Sequence, residues 1–223
     1  MLADRLLVFD WDGTLADSAN TIVRAMQIAI RELQLETRHD AAVRDVIGLG
    51  LDEAVRKLYP DLSPAGVYEL AAGYKTHYRA LMTETIPLFP EVTDTLRELA
   101  EQGFMLAVAT GKSRVGLDRS LRETGLEGYF SATRCADETF SKPHPGMLLE
   151  LMWETGADTD STLMIGDSVY DMEMADRANV SAVAVSYGVH DRERLLQYQP
   201  LLCIDNLTAL AQWLQENQRG KTQ

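Results

Sequence analysis

The chain opens on Leu6-Leu7-Val8-Phe9, a continuous apolar run after Arg5 of the kind a strand buried on both faces requires. The pattern then turns helical. Ile22, Val23, Met26, Ile30 and Leu33 share one face, with Ser18 or Asn20 as cap. Shorter helical stretches follow over Ala41 to Ile47 and Asp52 to Tyr59, separated by the loop Gly48-Leu49-Gly50. Ser63-Pro64 opens a helix with a stripe of Val67, Leu70, Ala71, Tyr74, Tyr78 and Leu81. Nothing from about 16 to 86 reads as a strand, so this block is expected to be an inserted helical bundle. From Pro87 on, strands and helices alternate. Strands are expected at Phe104 to Ala109, Ser131 to Arg134, Thr162 to Ile165, Ala182 to Val185 and Leu202 to Ile204. Helices start at Pro90, Ser113, Pro145 and Val169, with a last one carrying Leu207, Leu210 and Leu214. Such alternation predicts an α/β fold, a Rossmann-like parallel sheet with helices on both faces.

Parallel sheets bind ligands outside the carboxyl ends of their strands, so the residues just past each strand carry the candidate chemistry. Strand one ends in Asp10-Trp11-Asp12-Gly13-Thr14-Leu15, whose two carboxylates point the same way. The Phe104 strand runs into Thr110-Gly111-Lys112-Ser113, and Thr162 to Ile165 into Gly166-Asp167-Ser168, with Asp171 four residues past Asp167. Ser141-Lys142-Pro143 precedes the Pro145 helix. Gly111-Lys112-Ser113 resembles the end of a P-loop, but Leu106 stands where that motif needs a glycine. Singly, each group has a plainer reading. Thr110, Ser113 and Asp167 could cap helices, and Lys142 and Asp171 could be solvated. Together, Asp10, Asp12 and Asp167 make a hard oxygen site suited to Mg2+. Thr110, the Gly111 N–H and Lys142 suit phosphate oxygens, which is the set phosphoryl transfer requires. The histidines His39, His77, His144 and His190 have no metal spacing, and Met172 and Met174 read as core packing.

These motifs, in this order and over most of the chain, resemble those of the haloacid dehalogenase superfamily, phosphoglycolate phosphatase-like subgroup. Pro87-Leu88-Phe89-Pro90 and Ser186-Tyr187-Gly188 are also similar to that subgroup's. The resemblance implies a core of residues 1–15 and 87–215, a C1-type helical cap of residues 16–86, and a polar tail of residues 216–223. It implies that Asp10 is a nucleophile that forms an aspartyl-phosphate and that Asp12 is the acid and then the base. Mg2+ would be held by Asp10, Asp167 and the Asp12 carbonyl, with Asp171 in support, and phosphate by Thr110, Gly111 and Lys142. The implied activity is hydrolysis of a small phosphomonoester. A dehalogenase lacks Asp12. A sugar phosphomutase of this cap type, the alternative chemistry, carries a histidine where Ile22 stands and a basic residue where Leu51 stands. A non-catalytic phosphate-binding role is the other alternative. The cap's substrate loop would be Gly48, Leu49 and Gly50, with Arg44, Arg56 or Lys57 as contacts. Hinges are expected near Ala16 to Ser18 and Glu84 to Pro87.

Bulk properties narrow the partners. The chain has 223 residues, 46% of them hydrophobic, and a net charge of −13, with a pI near 4.7. No basic surplus exists to neutralise a nucleic acid or an anionic membrane, and no apolar run approaches the ~20 residues of a membrane span. The expected ligand is a small phosphorylated metabolite, and the protein a monomer or homodimer. Two distant cysteines, Cys135 and Cys203, and no signal pattern point to the cytoplasm.

Overall fold

A computed structural model describes residues 6–82 and 87–219. The elements are β1 (Leu6–Phe9), α1 (Ala19–Glu32), α2 (Asp40–Asp45), α3 (Leu51–Leu58), α4 (Pro64–Leu81), α5 (Val92–Glu101), β2 (Met105–Thr110) and α6 (Arg114–Thr124). They continue as β3 (Ala132–Cys135), α7 (Gly146–Thr155), β4 (Thr162–Gly166), α8 (Val169–Arg177), β5 (Ser181–Val185), α9 (Arg192–Leu196), β6 (Leu202–Ile204) and α10 (Thr208–Arg219).

The six strands form one parallel sheet in the order β3-β2-β1-β4-β5-β6. Alternate residues serve opposite faces, as strand geometry demands. Leu7, Phe9, Leu106, Val108, Leu163 and Ile165 join the core beneath α5, α6 and α10. Leu6, Val8, Ala107, Ala109 and Met164 join the core beneath α7 and α8, where Met174 also packs. The chain moves outward from β1 to β2 and β3, then returns to the far side of β1 as β4. That reversal places the ends of β1 and β4 side by side in the crevice where such sheets bind ligands.

Helices α1 to α4 form a second body with its own core, built on Val23, Met26, Ile30, Val55, Val67 and Leu70 and joined by Val189 of the sheet domain. The link between the bodies is a pair of antiparallel segments. Phe89 N–H donates to Leu15 O at 3.0 Å and Asp17 N–H to Pro87 O at 2.9 Å. One expected hinge, Ala16 to Ser18, lies here; Glu84 to Ile86 of the other lie outside the described residues.

The loop 47–50 docks the bundle onto the sheet domain. Gly50 N–H donates to Ser141 Oγ at 2.7 Å, and the Leu49 carbonyl packs so close to Gly111 that a Cβ there would collide with it. Gly48, at φ +104°, sits over Ser168. A second seam gathers around Asp45. Arg194 Nη1 donates to its carboxylate at 2.6 Å and the Tyr170 hydroxyl to its carbonyl at 2.7 Å. Lys57 Nζ donates to the Tyr170 oxygen at 2.6 Å.

Element ends differ from the sequence expectation where capping decides them. Pro145 is the residue before α7 rather than its first, and Glu91, at φ +66°, holds that place for α5. Ser63 and Ser113 cap α4 and α6 as expected. Ser18 stands at the cap position of α1 but makes no cap bond. Helix α9 has no counterpart in the expected elements. Residues 216–219 of the expected tail belong to α10, and 220–223 lie outside the described residues.

Gly111→Ala is expected to push the 47–50 loop off the sheet domain without unfolding either body. Hydrogen exchange should quicken at the amides of residues 47–50 and stay unchanged in β1 and β4.

Candidate active site

Sheet register brings the acidic residues together. Phe9 pairs with Ile165 and Asp10 N–H donates to Ile165 O at 2.9 Å, so the residues that leave β1 and β4 emerge as neighbours. Oxygens of Asp10, Asp167 and Asp171 lie within 4.8 Å of one another, all buried. Lys142, 1% exposed, inserts between two of them, with Nζ 2.7 Å from Asp10 Oδ1 and 2.7 Å from Asp171 Oδ1. Trp11 N–H also donates to Asp10 Oδ1, at 2.7 Å.

Every other oxygen of the cluster is accounted for except one. Asp167 Oδ1 accepts from the Thr14 hydroxyl and Oδ2 from Val189 N–H, each at 2.8 Å. Asp171 Oδ2 accepts from Ser168 N–H at 3.0 Å and from Ser168 Oγ at 2.6 Å, a capping box at the start of α8. Both Asp171 oxygens are thereby engaged, and they hold Lys142 and the loop. Asp10 Oδ2 is buried with no partner. Three carboxylates and one ammonium leave two formal negative charges in a buried site, a costly arrangement. An all-oxygen donor set, an orphaned carboxylate oxygen and this charge deficit together fit a hard divalent cation.

Titration follows the same logic. Burial, and then the neighbouring Asp171, push the Asp167 carboxyl up to about 7, against the Val189 N–H and the Thr14 hydroxyl. Burial raises Asp10 well above the carboxylate range, with Lys142 pulling the other way. Burial opposes the charge on Lys142, but Asp10 and then Asp171 outweigh it and keep the ammonium protonated.

Asp12 stands apart from the three. Its Oδ1 accepts from Ser18 Oγ at 2.5 Å and from Lys112 Nζ at 2.9 Å. Lys112 also reaches the Tyr78 hydroxyl at 3.3 Å and lies over its ring, 5.0 Å from the centroid. Thr110 is fully buried at the end of β2. Its Oγ1 accepts from Lys112 N–H at 3.1 Å, which leaves the hydroxyl proton to donate. Gly111 and both aspartates of the first motif line a cavity of about 420 Å³ between the bundle and the sheet domain.

The structure therefore brings together Asp10, Lys142, Asp167 and Asp171, with Asp12, Thr110 and Gly111 at their edge. Gly48, Leu49 and Gly50 line the same cavity. Arg44 does not. It donates to Asn20 Oδ1 on α1 at 2.6 Å and is absent from the cavity wall. Arg56 is exposed and also outside the wall, and Lys57 belongs to the Asp45 seam. Sequence reasoning missed Thr14, Ser18, Lys112 and Ser168 as site residues. Ser18 bore a signal, a polar residue at a helix start, but its hydroxyl serves Asp12 instead of the helix. Among the described residues no histidine joins the acidic cluster. The buried His190 accepts Val169 N–H at Nδ1, 2.9 Å, a structural use.

These shifts set a pH dependence. Asp167 ionises near 4 in the unfolded chain and near 7 in the metal-free fold. The native state binds the extra proton between those values, so Asp167 makes stability fall as pH rises through that window. The lowered His190 acts in the opposite sense, so the cation's contribution is best read as a difference. Stabilisation by Mg2+ over EDTA, from urea unfolding, should grow from pH 5 to pH 7, by at most about 1.4 kcal/mol per pH unit for each proton displaced.

A family model, haloacid dehalogenase-like hydrolase, matches residues 7–185. The chain is 33% identical over 209 residues to the probable phosphatase IndB of Dickeya dadantii, covering 91% of this chain and 90% of that one. It is 30% identical over 210 residues to a phosphoglycolate phosphatase of Agrobacterium fabrum, covering 92% and 90%. The fold matches the crystal structure of a hydrolase from Pseudomonas syringae with a TM-score of 0.87 at 23% identity, covering 95% and 98%. With a match that spans most of the sheet domain and the whole inserted bundle, the chain belongs to the haloacid dehalogenase-like hydrolase family.

Proposed function

We propose that the protein is a Mg2+-dependent phosphatase that hydrolyses a small phosphomonoester through a phosphoaspartate on Asp10. The observation that carries this reading is the buried set of Asp10, Asp167, Asp171 and Lys142 around an Asp10 oxygen without a partner. When bound, the cation would offset the site's negative charge and polarise the phosphoryl oxygens.

The chain's own groups account for the remaining chemistry. Lys142 and Trp11 N–H fix the Asp10 carboxylate through Oδ1. Asp10 attacks phosphorus; its bond to phosphorus forms as the ester bond breaks, and Asp12 gives a proton to the departing alkoxide. Water then attacks the phosphoaspartate while Asp12 takes its proton. The Asp10–phosphorus bond breaks, and inorganic phosphate leaves. Ser18 and Lys112 both grip Asp12 Oδ1, which leaves Oδ2 for the proton. The Thr110 hydroxyl, Gly111 N–H and Lys142 hold phosphate oxygens. A small phosphorylated metabolite in a reducing cytosol suits the two free cysteines, one of them buried.

The first assay is inorganic phosphate release from a panel of esters headed by 2-phosphoglycolate, the substrate in the Agrobacterium relative's name, with Mg2+ and with EDTA. Asp10→Asn should lower Mg2+-dependent release about a thousandfold or more while the circular dichroism stays native. Unchanged release in that variant would refute the nucleophile. Lys112→Met should lower kcat by about ten- to a hundredfold with KM little changed, and Lys112→Arg should recover part of the loss. Equal kcat in the three proteins would show that Lys112 only packs. Hexose phosphates isomerised rather than hydrolysed would mark the mutase alternative.

A further inference from the structure

The wall of the cavity carries more information than its floor. The floor is Asp10 and Asp12. The wall above it is built from half-buried apolar side chains of the bundle, Ile22, Leu49, Leu51 and Tyr74, faced across the opening by Val115 of α6, which is 67% exposed. An apolar side chain left that open on a wall gains from any apolar group that covers it. A volume of about 420 Å³ is in the range of sites that enclose ligands of drug size, well beyond the two carbons of glycolate.

Charge around the cavity argues in the same direction. Lys112, the cavity-lining cation beside the floor, is already engaged by Asp12 and capped by Tyr78. Arg119 donates to Glu123 at 2.5 Å and to Met82 O at 3.0 Å. Lys75 and Arg79 sit at exposed positions of α4, where water screens them. Asp52, Glu53, Glu123 and Asp137 also line the opening. Among the described residues, a second anionic group on the substrate's alcohol would therefore find no uncommitted buried cation in the cavity lining.

We propose that the cavity selects phosphomonoesters of uncharged, predominantly apolar alcohols larger than glycolate, recognised by Ile22, Leu49, Leu51, Tyr74 and Val115. This rests on the phosphatase reading above and names the substrate class for that same site. The phosphoryl group lies on the acidic floor, and the alcohol's carbon skeleton covers the wall. The cap loop 47–50 closes over both.

The test is phosphate release by the purified protein with Mg2+ from ethyl, butyl and hexyl phosphate and from 2-phosphoglycolate. All are esters of primary alcohols, so leaving-group chemistry is similar across the set. Expected is a kcat/KM that rises by about two- to fourfold per methylene buried, with hexyl phosphate at least about tenfold better than 2-phosphoglycolate. Ile22→Ala and Leu51→Ala should each flatten that rise. The wild-type series decides by itself, even if a variant folds poorly. Release that is flat with chain length, or fastest from 2-phosphoglycolate, overturns this proposal and leaves the phosphatase standing. No Mg2+-dependent release from any ester overturns the phosphatase reading, and this inference falls with it.

Discussion

A lysine ammonium buried between two buried carboxylates is the interaction on which the rest of the site depends. Lys142 lies 2.7 Å from both Asp10 and Asp171 and is shielded from water. Unpaired, any of the three would carry a desolvation cost of several kcal/mol. Paired, they fix one another. Asp171 is locked by Ser168 at the start of α8, Lys142 is locked by Asp171, and Asp10 is held by Lys142. The third carboxylate, Asp167, lies beyond reach of that ammonium's direct bonds and is held by Thr14 and Val189. With it the cluster keeps two uncompensated negative charges, and protons or a divalent cation must supply the balance. Metal affinity and proton affinity are thus two expressions of one electrostatic deficit.

That deficit is possible because of topology. Only at the reversal between β1 and β4 do two adjacent parallel strands end beside each other with their connections leaving in opposite directions. Close approach then demands a residue without a side chain. At Gly13, φ is +91° and a Cβ would overlap the Asp167 carboxylate, so glycine is needed there for both backbone and space. The hexapeptide that begins at Asp10 thus supplies a carboxylate, a second carboxylate, a turn and the Thr14 hydroxyl that grips Asp167.

Much of this was legible in the sequence. Asp10, Asp12, Thr110, Lys142 and Asp167 could be placed because each falls at a strand end or loop that hydrophobic periodicity locates, with Asp171 in the helix turn that follows Asp167, and a parallel sheet gathers such ends on one edge. What periodicity cannot give is the partner of a side chain. Lys112 follows Gly111 in a segment that reads as a helix start, yet its ammonium reaches Asp12, 100 residues away in sequence. Ser18 has the chemistry of a cap and spends its hydroxyl on Asp12. The basic residues of the bundle failed for the related reason that a short helix carries charge on several faces. Arg44 turns to Asn20 and Lys57 to the Asp45 seam, whereas Ile22 and Leu51 face the cavity. Helix ends slipped by a residue or two wherever a proline or a left-handed residue took the capping position.

The loop 47–50 ties the two bodies' functions together. Gly48 lies over Ser168, Leu49 presses on Gly111, and Gly50 donates to Ser141, the neighbour of Lys142. One short segment of the bundle therefore touches the three sheet-domain loops that carry Gly111, Ser141-Lys142 and Asp167-Ser168. A side chain at Gly48 or Gly50 would hold the bodies apart, since each Cβ would crowd a polar group of the site. The carboxylates and Lys142 all come from the sheet domain, so the docked loop adds the apolar wall to a cluster already assembled. On the proposed reading, the same contact would bring the apolar wall over the alcohol of a bound ester. On that reading, selectivity for the alcohol and protection of a phosphoaspartate would share one device. An alcohol that fills the wall would favour the docked arrangement through apolar burial, and the docked arrangement is the one in which Ser18 and Lys112, the latter beneath Tyr78 of the bundle, both grip Asp12.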